Sequence, residues 1–326
     1  MEIKPLLRSC LAAALICLAV PSLADTPRVV ADIAPVHALA ARVMQGVGEP
    51  ELLLAPGVSP HGAALRPSQA RALQEAGLII WIGPELEPWL DKAVDALPAS
   101  ASELRLLGVE GTHLLEFAED DDRAHEHEME SDDDHHADDG HDDHDGHDEA
   151  HHEHHGIDPH AWLDPRNGTV WMGAIAEELA SLDPANAESY RANAAAGAAE
   201  LKTLEDELTD QLTALGDIGF VTFHDAYRYF QTRFGLKPLG TITPSDAVDP
   251  SPARLAELRE RLEGRQTLCA LAEPQFDDRL FSAITDGRDL RFAVIDPLGS
   301  KLEPGAALYP EMLRGMAASM LDCTED

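Results

Sequence analysis

Residues 118–155 consist almost wholly of His, Asp, Glu, Ala and Gly, and such a segment has too few apolar side chains to offset the entropy of ordering it. It is expected to be a disordered loop. It interrupts the chain instead of ending it, and the sequence on both sides is patterned for α/β structure. Before it, short apolar runs at 29–33, 52–54 and 78–82 alternate with helical stretches such as 67–75, which stops at Gly77. After it, Asp164-Pro165 reads as an N-cap followed by proline at the first helical position, and Trp171, Ala174, Ile175, Leu179 and Leu182 keep one face apolar. Asp183-Pro184 repeats the signal, and Tyr190, Ala194, Ala198, Leu201, Leu204 and Leu208 predict a longer second helix despite Gly197. Strands are expected again at 220–223, 268–272 and 292–295, with helices near 251–263 and 309–321. The fold class is α/β: two Rossmann-like lobes with mostly parallel sheets. The expected domains are an N-terminal lobe over 25–164, a linking helix over 165–183 and a C-terminal lobe over 184–326.

The formal net charge of −36 is concentrated: between Glu119 and Glu153, 18 Asp or Glu stand against one Arg, so this segment alone carries −17. Nucleic acid and anionic membrane surfaces are poor partners for such a chain, and cations are good ones. At the N-terminus, Lys4 and Arg8 precede an apolar run over 11–20, and Ser22-Leu23-Ala24 offers small residues at a cleavage site, so residues 1–24 read as a secretory signal. That run is shorter than the about 20 residues a membrane span needs, and neither Cys10 nor Cys17 sits in a lipidation context. Removing the signal leaves Cys269 and Cys323, an even pair bound for an oxidising compartment, where a disulfide is expected and two buried thiols are the alternative.

Ligands of open α/β sheets bind beyond the carboxyl ends of the strands. His224 directly follows the expected strand at 220–223, Asp296 follows the one at 292–295, His61 lies in the loop after 52–54, and His160 sits just before the first long helix. Three imidazoles and a carboxylate suit a tetrahedral Zn2+ ion, whereas Mn2+ prefers more oxygen. Each has a plainer reading. Asp296 could cap a turn at Pro297 and His224 could cap the following helix, while a lone loop histidine is usually just solvated. His37 and His113 have no placement near the cleft.

At these residues the chain resembles a known family. Ser59-Pro60-His61 with Leu65-Arg66-Pro67-Ser68, Asp158-Pro159-His160-Ala161-Trp162-Leu163, Phe223-His224-Asp225-Ala226-Tyr227, Ala272-Glu273-Pro274-Gln275-Phe276 and Asp296-Pro297-Leu298-Gly299 are similar, in this order, to the motifs of metal-binding solute-binding proteins of ABC transporters, and most of all to the zinc-specific ZnuA branch. The resemblance implies His61, His160 and His224 as Zn2+ ligands, with Asp296 or water completing the shell. It also implies a disulfide in the C-terminal lobe and a rigid helix between the lobes that permits only modest closure. In manganese-specific relatives an acidic residue stands where His224 stands here. Some members of the branch carry a glutamate just before the first ligand histidine, where this chain has Pro60.

The implied protein is a periplasmic carrier and not an enzyme: a monomer that delivers zinc to an ABC permease. The eleven loop histidines, His125, His127, His135, His136, His141, His144, His147, His151, His152, His154 and His155, are expected to form weaker sites that gather or sense zinc or receive it from a periplasmic chaperone. A solvated spacer is the alternative. Rival functions are a manganese or iron carrier on the same fold, a metal buffer without a transporter, and a zinc metallohydrolase. The last fits less well, because the sequence has no His-Glu-x-x-His motif.

Overall fold

The computed structural model describes residues 26–96, 101–117, 156–216, 219–243, 250–263, 268–274 and 291–323. The expected signal at 1–24 and the His- and acid-rich segment 118–155 lie outside these residues.

In the first half, β1 (Val29–Ala31), α1 (Ala34–Val43), β2 (Glu51–Leu52), α2 (Pro67–Glu75), β3 (Leu78–Trp81), α3 (Pro88–Asp95) and β4 (Ser102–Arg105) build a four-stranded parallel sheet in the order β2-β1-β3-β4. Both β1 and β3 are buried along their whole length, which is why each reads as an unbroken apolar run. The edge strand β4 alternates half-buried and exposed residues and carries no such run, so apolar patterning passes over it. Helix α1 escapes pattern reading for the opposite reason: Ala34, Pro35, Val36, His37, Ala38, Leu39, Ala40 and Val43 are all buried, and a helix covered all round shows no stripe.

The second half repeats the plan. Two long helices, α4 (Pro165–Leu182) and α5 (Ala187–Thr213), lead into β5 (Gly219–His224), α6 (Arg228–Phe234), β6 (Gly240–Thr243), α7 (Pro252–Leu262), β7 (Leu268–Ala272), β8 (Arg291–Val294) and α8 (Leu308–Asp322). Its sheet is parallel in the order β6-β5-β7-β8. The strand bounds differ slightly from the sequence expectation. His224 is the last residue of β5 rather than the first beyond it, and β8 ends at Val294, one residue earlier.

Local chemistry explains the helix starts. The Asp164 side chain accepts from the Arg166 backbone N–H at 2.9 Å with Pro165 next in the chain, and Ser251 accepts from the Arg254 N–H at 3.1 Å ahead of Pro252. Ahead of α5, Asp183 is followed by a 3-10 turn (Pro184–Asn186), and the helix proper begins after Asn186.

One apolar cluster crosses the molecule. It holds Val29, Leu78 and Ile80 of the first sheet, Trp171, Leu179 and Leu204 of the long helices, and Phe220, Leu271 and Tyr309 of the second half. The base of the acidic insertion is closed by an antiparallel bridge between Glu116 and Ile157, with the Phe117 N–H on Gly156 O at 3.1 Å and the Asp158 N–H on Leu115 O at 2.8 Å. Among the described residues no helix is long and apolar enough to cross a membrane.

Candidate metal centre

Strand order decides where a ligand can enter. In each parallel sheet the order in which strands are added reverses between two central strands, β1 and β3 in one and β5 and β7 in the other, and the loops leaving those strands diverge to open a crevice. His224 closes β5, and Glu273 follows the last residue of its neighbour β7. His160 lies between the bridge at Ile157 and a short 3-10 turn (Ala161–Leu163). His61 comes from residues 53–66, which carry neither helix nor strand between β2 and α2.

The structure brings these three imidazoles together. His61, His160 and His224 each offer one ring nitrogen, and these nitrogens all lie within 4.8 Å of one another. Ring centroids are separated by 5.1 Å for His61 and His160, 5.3 Å for His160 and His224, and 6.1 Å for His61 and His224. The His61 and His160 Nε2 atoms are 3.1 Å apart, close to the about 3.3 Å that separates two nitrogens bound at about 2.0–2.1 Å to one tetrahedral ion. His160 and His224 are buried and His61 is partly exposed, so the set has a dry side and a wet side.

Carboxylates orient the two buried rings. His160 Nδ1 is 2.7 Å from Asp158 Oδ1, which also accepts the His160 backbone N–H at 3.0 Å; His224 Nδ1 is 2.6 Å from Glu273 Oε1. A carboxylate on Nδ1 selects the tautomer with its proton there, and it turns the Nε2 lone pair toward a metal while raising its basicity. Burial pushes the Asp158 carboxyl up to about 7, against the pull of the His160 N–H and the Arg228 guanidinium. Asp225 rises to about 6, through burial first and the neighbouring Asp158 charge second. A dication entering here meets the carboxyl groups of Asp158, Asp225 and Glu273 with the Arg228 guanidinium alongside, so bound charge is nearly balanced and the cost of burying it falls.

Asp296 is not brought into the group. Its Oδ1 accepts from the Leu298 N–H at 3.1 Å, and its Oδ2 accepts from the Ser300 N–H and hydroxyl at 2.7 Å each. That turn presents Pro297 O to the Trp162 indole N–H at 2.8 Å. His37 is buried with Nε2 3.0 Å from Pro50 O. His113 is half-buried, with Nδ1 3.6 Å from the Asp164 carboxylate. The eleven histidines of 118–155 lie outside the described residues. Sequence reading missed the roles of Asp158 and Glu273. Glu273 follows a strand as Asp296 was expected to, and the strand-end rule would have found it; Asp158 stands two residues before His160, a spacing with no signal of its own.

The family described as "ZnuA: Zinc-uptake complex component A periplasmic" matches residues 29–323. A protein of Paracoccus denitrificans named high-affinity zinc uptake system protein ZnuA is 46% identical over 314 residues, covering 96% of this chain and 96% of that protein. Its namesake in Brucella abortus is 39% identical over 303 residues, covering 90% of this chain and 91% of that protein. Among solved structures, a crystal structure of ZnuA shares the fold with a TM-score of 0.68 at 24% identity, covering 91% of this chain and 100% of that one.

Proposed function

The chain belongs to the family of periplasmic zinc-uptake component A proteins, and on that footing we propose that it captures Zn2+ in the periplasm and delivers it to the permease of an ABC importer in the inner membrane. The observation that carries this reading is the convergence of the His61, His160 and His224 nitrogens within 4.8 Å. Three neutral imidazoles form a set in which nitrogen outweighs oxygen, which favours zinc over manganese. The fourth position goes to water or to Asp296. The hydrogen bonds already converging on both Asp296 oxygens favour water.

The protein acts as a carrier, not a catalyst, in keeping with its zinc-uptake family; its ligands come from segments far apart in sequence, so the ion joins parts of the chain that no local motif connects. A leader over 1–24 exports it, and it works as a monomer. The first lobe runs over 25–164 and the second over 184–326, with 165–183 as the stiff link between them. Closure around the ion is therefore small, and release follows docking on the permease. The histidines of 118–155 gather zinc at weaker sites or receive it from a periplasmic chaperone.

Chelator competition on the purified protein tests this. His61→Ala, His160→Ala and His224→Ala should each weaken the tightest zinc site by more than the about 10- to 100-fold that losing an outer partner costs, with Asp296→Ala milder. Preferential retention of manganese from an equimolar mixture, or alanine variants that hold zinc as before, would overturn the reading.

A further inference from the structure

His160 and His224 sit on segments held close by: a strand end for one, and a bridge followed by a helical turn for the other. His61 sits in the middle of residues 53–66: the Leu53 and Leu54 N–H groups still donate to Ala31 O and Asp32 O at 2.8 and 2.9 Å, and the His61 N–H reaches Ser59 Oγ at 3.3 Å, but beyond residue 54 neither strand nor helix defines the path. Something else has to fix the direction of its ring. The ends of the segment are tied by Gln69, whose Nε2 donates to Leu53 O at 2.7 Å and whose Oε1 accepts the Arg66 N–H at 2.7 Å. At the ligand itself, the Trp89 indole N–H donates to Pro60 O at 2.7 Å, and that carbonyl belongs to the peptide bond entering His61.

Trp89 is well placed for such a task. It packs against both apolar clusters that flank the first sheet, so its indole is a rigid donor. Its helix α3 begins after Glu87, which is fully buried beside Asp32. The Asp32 carboxylate in turn accepts the Ile33 N–H at 2.6 Å and the Ile82 N–H at 2.7 Å, at the ends of β1 and β3. Contacts thus run from the crevice of the first sheet through Asp32 to Glu87, and the helix that starts after Glu87 carries Trp89 to the carbonyl entering His61. Proline at position 60 has no N–H and a nearly fixed φ, so holding its carbonyl orients the next residue with little slack.

Resting on the zinc reading above, we propose that Trp89 is the positioning residue of His61, fixing through Pro60 O the one ligand that secondary structure leaves loose. It touches no ion. Its contribution is to the geometry of the site and to how fast the ion leaves.

Trp89→Phe keeps an aromatic ring packed against the two clusters and removes the donor. Trp81→Phe is the matched control, because the Trp81 indole donates to Glu103 Oε1 at 2.9 Å and not to the loop. Stopped-flow chelation of the zinc-loaded protein should show dissociation roughly threefold to tenfold faster in Trp89→Phe, the scale of one lost hydrogen bond. The visible bands of the Co2+-loaded protein should shift as the ligand field distorts, and Trp81→Phe should alter neither readout even where it lowers the melting temperature. Equal zinc kinetics and equal Co2+ spectra in the two variants would overturn the proposal. Should Trp89→Phe fail to fold, proton–nitrogen spectra of the wild-type chain decide: the Trp89 indole signal should move and gain protection on zinc loading while that of Trp81 stays put, and an unmoved Trp89 signal refutes the role. His160→Ala in the same assays keeps the two questions apart. If it retains tight zinc, the site reading fails; if it loses zinc while Trp89→Phe behaves as wild type, only the positioning role fails.

Discussion

Two carboxyl side chains show how this protein handles charge where no ion is bound. Glu87 and Asp32 are 0% and 1% exposed, they face one another, and apart from Asp32 itself no group among the described residues hydrogen-bonds to the Glu87 carboxyl. Two buried carboxylates in contact cannot both be ionised. Burial, then the Asp32 charge, holds Glu87 well above the ordinary carboxylate range, and burial lifts Asp32 to about 6. The folded chain therefore keeps a proton that the unfolded chain gives up near about 4.3. Where only the folded state holds that proton, stability falls as pH rises, by up to about 1.4 kcal/mol per pH unit. Glu87→Gln, which has no proton to lose, should match the wild type near pH 5 and exceed it increasingly by pH 8 in urea unfolding. A stability difference that is flat with pH would show that the pair shares no proton.

Helix α4 joins the two halves at close quarters, and Gly168 permits its approach to Tyr309. A Cβ built at Gly168 would stand 2.8 Å from the Tyr309 hydroxyl oxygen and 2.9 Å from its Cε1. Tyr309 is buried on α8, and its hydroxyl donates to Trp162 O at 2.6 Å, two residues after His160. Asn167, one position earlier, accepts the His113 N–H at 2.7 Å and donates to Ala161 O at 2.9 Å. The start of α4 is therefore fastened to the segment that carries a ligand. Alanine for glycine inside a helix normally gains up to about 1 kcal/mol, while overpacking a core costs about 1–3 kcal/mol. Gly168→Ala should be the net loser, destabilised in urea and with weakened zinc binding. Unchanged or raised stability would mean that Tyr309 yields easily and the clamp is loose.

Across the whole molecule, the halves share one core, and a covalent link fastens the end of the chain to it. Cys269 on β7 and Cys323 after α8 form a disulfide across 54 residues with Cα atoms 5.8 Å apart, as the cysteine count had led one to expect. Replacing both with alanine should cost about 2–4 kcal/mol of stability and leave one tight zinc per chain by metal analysis; loss of the ion would give the bridge a part in the site. Much of this architecture was legible in the amino-acid sequence alone. Period and caps marked α2, α4, α5 and α7, apolar runs marked β1, β3, β5 and β7, and the strand-end rule with the motif resemblance singled out His61, His160 and His224. Those signals are local, and a local pattern survives in one dimension. The shared core, the carboxylates behind His160 and His224, the Asp296 hydrogen bonds and the Trp89 donor to the His61 loop were decided only in three dimensions. Each joins residues that carry no common period, or chooses among several partners within reach, and that choice is made by packing.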